Sequence, residues 1–287
     1  MKEILTAINI TKSYGDKQVL KDISITLHEG ELVSILGVSG VGKTTLFNVL
    51  SGLVVPDSGK VILYNENRSV TETYDDIATG NESITFDEYD TVINKDGKAV
   101  QNVDHNGIDI TGKTGYLSYM LQKDLLLPHK TVIENAALPL LLDGVPKKAA
   151  LNRAGEHFAR FGLEGTEKRY PSELSGGMRQ RAALLRTYLC DKKVALLDEP
   201  FSALDTFTKA SMQQWYLDVM KDIRLSTLFI THDMDEAILL SDRIYIMKGS
   251  PAVITDEVVI YEPRPRTSEF TFTDAFIEYK RRIRENL

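Results

Sequence analysis

The chain has 287 residues, 43% hydrophobic and 26% charged, enough for an ordinary globular core in one large domain or two small ones. No apolar run approaches the roughly 18 residues of a bilayer-crossing helix, and the longest, residues 136–142, is broken by Pro139. The net charge of −7 is local: ten acidic against three basic residues over 65–107 account for the whole excess of 41 acidic over 34 basic residues, so the remainder is neutral and offers no basic surface for nucleic acid.

In chain order, residues 2–35 alternate apolar and polar positions in three strand-like runs, "KEILTAINI", "KQVLKDISITL" and "ELVSILG". The N-terminal stretch reads as a strand and lacks the apolar centre of a signal peptide. "LVSILG" then enters "GVSGVGKTT" at 37–45, and "KTTLFNVLSGL" continues as a helix. "GKVILYN" predicts a further strand. The acidic stretch follows, with strand-like segments on either side of Asp96-Gly97, a hairpin-turn dipeptide. It reads as a small β-type insertion, either a tolerated surface excursion or a partner or regulatory site. "TGYLSYMLQ" predicts a buried strand ending at Gln122. Thr131 and Glu134 have capping-box spacing, and helices are expected over most of 131–163. Ser175, in "LSGGMRQRAALLR", opens another helix. "KKVALLDEP" and "LSTLFITHD" are apolar, β-branched runs that end in polar residues, as parallel core strands do. A helix over 233–241, strands within 243–260 and an amphipathic helix over 266–287 complete the chain. Cys190 is the single cysteine; it rules out an internal disulfide and, set in an apolar helical pattern, reads as a buried inert thiol.

Gly37, Gly42, Lys43 and Thr44 match G-x-x-x-x-G-K-[ST], and the strand before and helix after supply the context a phosphate loop needs. The glycines turn backbone N–H groups toward phosphate oxygens, Lys43 adds a positive charge, and the Thr44 hydroxyl is placed for Mg²⁺. Ser39, Gly40 and Thr45 belong to the same loop. Asp198 and Glu199 stand just past a buried strand, where two adjacent carboxylates are costly without a cation or a chemical task. Asp198 is placed to hold Mg²⁺, directly or through water, and Glu199 to orient and deprotonate an attacking water. Three residues stay open on their own terms. His232 is structural or reaches a γ-phosphate; Gln122, at a strand end, is equally ambiguous; Tyr14 is an exposed strand-end tyrosine or stacks on a base. "LSGG" places a serine and two glycines ahead of a helix, a second phosphate grip in a chain that already has one.

The glycine loop, Gln122, "LSGGMRQ", "LLDEP", "SALD" and "THD" occur here in the order found in the nucleotide-binding subunits of ABC transporters. The chain resembles that family over nearly all of 1–265 except the acidic stretch. "LSGGMRQ" is specific to the superfamily, whereas the glycine loop is not. The resemblance implies an α/β fold: a P-loop NTPase (RecA-like) core with a mainly parallel sheet, an antiparallel β-lobe, and a helical lobe inserted at about 125–175. It makes Tyr14 the adenine-stacking residue, Gln122 the glutamine that contacts Mg²⁺ and water, His232 the γ-phosphate histidine, and Asp205 the aspartate that communicates across a dimer. It also gives the second grip a purpose. Two copies face each other head to tail, and Ser175, Gly176 and Gly177 of one close on the ATP held by the other.

"YMLQKDLLLPHKTVIENAALPL", "LLDEPFSALDTFTK" and "EPRPRT" resemble the importer branch that takes up nitrate, sulfonate, taurine or bicarbonate, with close relatives serving thiamine-pyrimidine precursors. The resemblance implies an ATPase homodimer at the cytoplasmic face of the membrane, two separate permease subunits, and an external solute-binding protein. Leu125–Leu127 then form the surface for a permease, or else merely core of the helical lobe. An ABC exporter or lipid-transport ATPase, and a non-transport ABC ATPase acting on nucleic acid or translation, are the alternatives.

Overall fold

The computed structural model describes residues 2–64, 85–86, 92–93, 107–202, 204–223 and 225–287. β1 (Glu3–Tyr14), β2 (Lys17–His28) and β3 (Leu32–Leu36) lead through the glycine loop into α1 (Lys43–Leu50). β4 (Ser58–Tyr64) follows, then β5 (Thr85–Phe86) and β6 (Val92–Ile93), which pair antiparallel with each other. The turn expected at Asp96-Gly97 lies outside the described residues, as does most of the acidic stretch; β5 and β6 both precede it. β7 (Gly107–Asp109) and β8 (Ser118–Met120) come next, then α2 (Val132–Ala136), α3 (Leu138–Leu142), α4 (Lys147–Gly155) and α5 (Gly176–Tyr188). β9 (Val194–Asp198), α6 (Thr206–Ile223), β10 (Ser226–Thr231), α7 (Met234–Leu240), β11 (Arg243–Gly249), β12 (Ala252–Val259) and α8 (Asp274–Asn286) complete the described chain.

One sheet carries ten strands in the order β7-β4-β1-β2-β12-β11-β3-β10-β9-β8. The block β11-β3-β10-β9-β8 is parallel throughout. β2, β1, β4 and β7 are antiparallel to one another. β12 joins the two blocks, antiparallel to β11 and parallel to β2 at Ala252↔Leu20.

The parallel strands are apolar at nearly every position because both faces are covered. Along β9, Val194 and Leu196 join the core shared with α1, while Ala195 and Leu197 join the core under the helical lobe. β10 repeats the alternation with Leu228 and Ile230 against Phe229. The period of two is the strand pleat itself. A third, smaller cluster joins α7 and α8 through Ile238, Phe276 and Ile283 to Leu36, Ile244 and Val258. The C-terminal ends of the parallel strands therefore lie at one edge of a rigid, doubly covered layer. That edge carries Asp198 and leads directly into the glycine loop and His232.

Three details depart from the sequence reading. The C-terminal helix expected over 266–287 is confined to Asp274–Asn286, after a short 3-10 turn over Ser268–Phe272. The expected strand to Gln122 stops at Met120, because β8 is an edge strand paired only to β9 over three residues, and Gln122 sits in the bend beyond. α6 was not anticipated at all, although Met212, Tyr216, Leu217, Val219 and Met220 form a buried stripe at helical spacing.

Candidate nucleotide site

The loop between β3 and α1 has the backbone that only glycine supplies cheaply. Gly40 has φ 80° and Gly42 φ 120°. A Cβ on Gly37 would meet the Met247 carbonyl oxygen at 2.5 Å, a backbone atom that cannot swing away. Gly42 caps α1 with no side-chain hydrogen bond, so the first-turn N–H groups keep no intrahelical partner and the positive end of the helix faces the loop. These features make a concave anion cradle out of main chain alone.

Around it lies a cleft of about 460 Å³. Ser39, Gly40, Gly42, Lys43, Thr44 and Thr45 line it from the loop, Gln122 and Glu199 from the strand ends, and Tyr14 from the end of β1. Tyr14 is 49% exposed, with the Lys12 ammonium 5.6 Å from its ring centroid. Lys17, Val19, Gly249 and Ser250 also line the cleft, and sequence reading missed all four. They are ordinary turn and strand residues, brought there by the β1–β2 and β11–β12 connections, and no local pattern announces them.

Lys43 is 5% exposed and curls back so that its Nζ donates to the carbonyls of Gly37 at 2.6 Å and Val38 at 3.0 Å. Burial pulls its pKa down, opposed by the negative charges of Glu199 and Asp198. The Thr44 hydroxyl donates to Asp198 Oδ2 at 3.1 Å. Tyr119, another residue the sequence did not flag, directs its hydroxyl at the same oxygen from 3.5 Å and at Asn48 Oδ1 from 3.3 Å. Burial pushes the Asp198 carboxyl up, and the charge of Glu199 adds to that while Thr44 works against it. A buried carboxylate held beside a hydroxyl, with Gln122 nearby, is an all-oxygen donor set suited to a hard cation that keeps most of its ligands as water and phosphate.

Glu199 occupies a left-handed backbone position, φ 47°, which costs a non-glycine residue of order 1–3 kcal/mol. Its N–H donates to the Ile230 carbonyl at 3.1 Å, which pins the turn to β10. The side chain is held on both sides: Gln122 Nε2 donates to Oε2 at 3.1 Å, and His232 Nδ1 lies 3.2 Å from Oε1. Three residues read separately from the sequence thus meet at one carboxylate. His232 itself does not line the cleft; it reaches it through Glu199 and borders a smaller pocket of about 90 Å³ on the other side.

Ser175, Gly176 and Gly177 are not part of this cleft. Ser175 is exposed and caps α5, its hydroxyl accepting from the Met178 N–H at 3.3 Å. Asp205 is also exposed and away from the cleft, its carboxylate accepting from the Thr208 N–H at 3.1 Å. Leu125 is 51% exposed whereas Leu126 is 7% exposed, so the "LLL" run is divided between surface and core.

The family model described as "ABC transporter" matches residues 20–202, from β2 through the glycine loop to Ser202. The chain belongs to the ABC transporter family. It is 36% identical over 272 residues to the formylaminopyrimidine import ATP-binding protein ThiZ of Halalkalibacterium halodurans, covering 94% of this chain and 90% of that protein. It is 33% identical over 259 residues to the sulfate/thiosulfate import ATP-binding protein CysA of Thermosynechococcus vestitus, covering 88% of this chain and 66% of that one. A dimeric structure of a bacterial ABC transporter cassette superposes with a TM-score of 0.63 at 26% identity, covering 91% of this chain and all of that one. The protein is thus an ATP-binding ABC cassette and an ABC-type ATPase, with the mixed α/β architecture that the sequence implied. Among the described residues no helix is long and apolar enough to cross a membrane.

Proposed function

We propose that this cassette energises uptake of a small solute through separate permease subunits, and that it hydrolyses ATP at composite sites formed by two copies. The observation that carries the composite site is a mismatch of location. The cleft holds Glu199 and the phosphate loop, with Asp198 hydrogen-bonded to Thr44 behind it, while Ser175, Gly176 and Gly177, themselves a helix start suited to a phosphate, lie outside it, with Ser175 exposed, Gly176 half-buried and Gly177 buried. A second copy presenting these residues to the open side of the cleft makes each site whole and the dimer isologous. ATP then joins the two copies, and hydrolysis releases them.

Within the site, Tyr14 stacks on the base, and the loop N–H groups with Lys43 hold the phosphates. Thr44 and Asp198, with Gln122, hold Mg²⁺, which supplies charge neutralisation at the phosphates. Glu199 accepts a proton from the attacking water. Gln122 and His232 fix its carboxylate from either side, and His232 faces the γ-phosphate once ATP is bound. Asp205 lies toward the partner copy.

The importer assignment draws on the relatives named for import of formylaminopyrimidine and of sulfate or thiosulfate. The solute is of the nitrate, sulfonate, taurine or bicarbonate kind, or a thiamine-pyrimidine precursor, delivered by an external binding protein. Exposed Leu121 and Leu125, beside Gln122, form the apolar part of the permease contact. Glu199→Gln tests the hydrolytic reading: losing a general base lowers turnover by about 10²–10⁴-fold. The variant should retain ATP and double its mass in light scattering, reverting when nucleotide is removed. A variant that binds ATP yet stays monomeric ends the composite-site proposal.

A further inference from the structure

The pocket behind Glu199 contains a charge cluster that the reading above does not use. Lys209, in the first turn of α6, places Nζ 2.7 Å from Asp233 Oδ2 and 2.8 Å from Glu236 Oε2. Glu236 is 3% exposed, and Gln213 Nε2 donates to the same carboxylate oxygen at 3.2 Å. Asp233 is the N-cap of α7, its Oδ1 accepting from the N–H groups of Asp235 at 2.9 Å and Glu236 at 3.2 Å. Its own N–H donates to Thr231 Oγ1 at 3.0 Å. His232 is therefore flanked on both sides by residues locked into one local network, and its ring contacts Glu199. Lys209 comes four residues after Asp205, and its first-turn N–H donates to the Asp205 carbonyl at 2.8 Å.

Glu236 is deep, and a carboxylate there is costly without a cation, whereas Asp233 beside it is 37% exposed. Burial pushes the Glu236 carboxyl up, while Lys209 and the α7 N–H groups hold the Asp233 carboxyl down. One ammonium serves both, and by doing so it fastens the start of α6 to the start of α7. Asp205 immediately precedes the first of these starts, and His232, whose ring contacts Glu199, precedes the N-cap of the second. A purely stabilising pair has no need to join these two segments rather than any others.

We infer that Lys209 is a positioning residue for hydrolysis: its shared ion pair with Asp233 and Glu236 sets His232 against Glu199 and ties that contact to the Asp205 segment. The inference rests on the hydrolytic roles proposed for Glu199 and His232. Lys209 does not line the nucleotide cleft, so its loss acts on turnover and not on ATP affinity.

The test uses the full-length protein with MgATP. Lys209→Met is expected to lower kcat by about tenfold to a hundredfold, the effect of misplacing a reacting group by roughly an ångström, with KM and ATP affinity near the parent. Lys209→Arg, which can bridge two carboxylates, should keep most of the turnover. Lys209→Met also strands a buried charge, so the double variant Lys209→Met/Glu236→Gln is the decisive one. It should regain the thermal midpoint lost by the single variant while kcat stays low. If the double variant regains both midpoint and turnover, or if Lys209→Met leaves kcat unchanged, Lys209 is only structural. His232→Ala separates the two layers of the argument. Unchanged turnover in that variant overturns the site reading itself, whereas a large loss there alongside an inert Lys209→Met overturns this inference alone.

Discussion

Glu31 is a carboxylate that nothing in the sequence distinguishes, yet it is only 3% exposed, at the start of β3. Arg243, 212 residues away, donates to it from Nε and, at 2.9 Å, from Nη2. The His28 N–H donates to Oε2 at 2.9 Å. Arg243 goes on to Glu257 Oε1 at 2.8 Å and Tyr245 OH at 3.1 Å, so one guanidinium joins β2, β3, β11 and β12. Burial works to raise the Glu31 pKa, but Arg243 and the His28 N–H outweigh it and hold the carboxyl below its ordinary 4.5. A depressed acid contributes stability that is fully present above its unfolded value and is lost as pH falls through the folded one. Glu31→Gln should thus destabilise the fold by about 3 kcal/mol at neutral pH, the scale of breaking a buried pair. The gap from wild type should close as pH drops below 4.5. Denaturant titrations across that range check this, and a gap that stays constant through it removes the carboxylate charge from the account. The contrast with the nucleotide site is instructive. Lys43, Thr44, Asp198 and Glu199 stand out in the sequence because the chemistry proposed for them requires particular residue types at short spacing. Glu31–Arg243, Tyr119–Asp198 and Lys209–Glu236 are long-range pairs of common residues, and no local pattern records them.

At the scale of elements, local chemistry was readable wherever it closes within a turn. The capping box at α2 forms as its spacing predicts: the Glu134 N–H donates to Thr131 Oγ1 at 3.4 Å, and the Thr131 N–H donates to Glu134 Oε2 at 3.2 Å. Lys147 adds a 3.0 Å ion pair to Glu134, drawing the start of α4 onto α2. Thr131→Ala removes the cap acceptor and should lower stability by about 1 kcal/mol. Val132 and Ala136 remain anchored in the core beneath the helical lobe, so the fold survives and the loss registers as a shifted denaturation midpoint with an unchanged slope. A loss of cooperativity instead means that the cap holds the whole lobe. Cys190 departs from the buried, helical thiol that the sequence suggested, since it lies in the turn after α5. It is half-buried, burial raises its thiol pKa, and Sγ points to the Arg186 carbonyl at 3.5 Å, as suits an inert residue. α6 was overlooked for a different reason. It directly follows "SALD" with no capping-box spacing to announce it, and Met212, Tyr216 and Met220, recurring every fourth residue, mark its buried face.

At the scale of the whole molecule, the acidic stretch departs furthest from the rest of the chain, and its attachment points are defined. Tyr64 and Gly107 are direct cross-strand partners at the end of the β4–β7 ladder. The chain therefore leaves and re-enters the sheet at one place, the geometry of a hairpin whose loop has been lengthened. Doubling the length of a loop adds only about 0.6 kcal/mol to its closure, so such an insertion places little burden on the fold. None of the residues that line the nucleotide cleft falls within 65–106. Replacing residues 66–106 by Gly-Asn leaves a three-residue hairpin loop between Tyr64 and Gly107, a length that antiparallel pairs accept. The shortened protein should unfold cooperatively near the parent's midpoint and retain its basal ATPase rate. One property should change. The deleted segment carries the entire net charge of −7, and a protein close to zero net charge self-associates more readily. Solubility near neutral pH should fall while turnover per folded molecule in dilute solution does not. If dilute, freshly purified protein has lost its cooperative transition or its ATPase, the segment belongs to the folding core and the β4–β7 pairing depends on it.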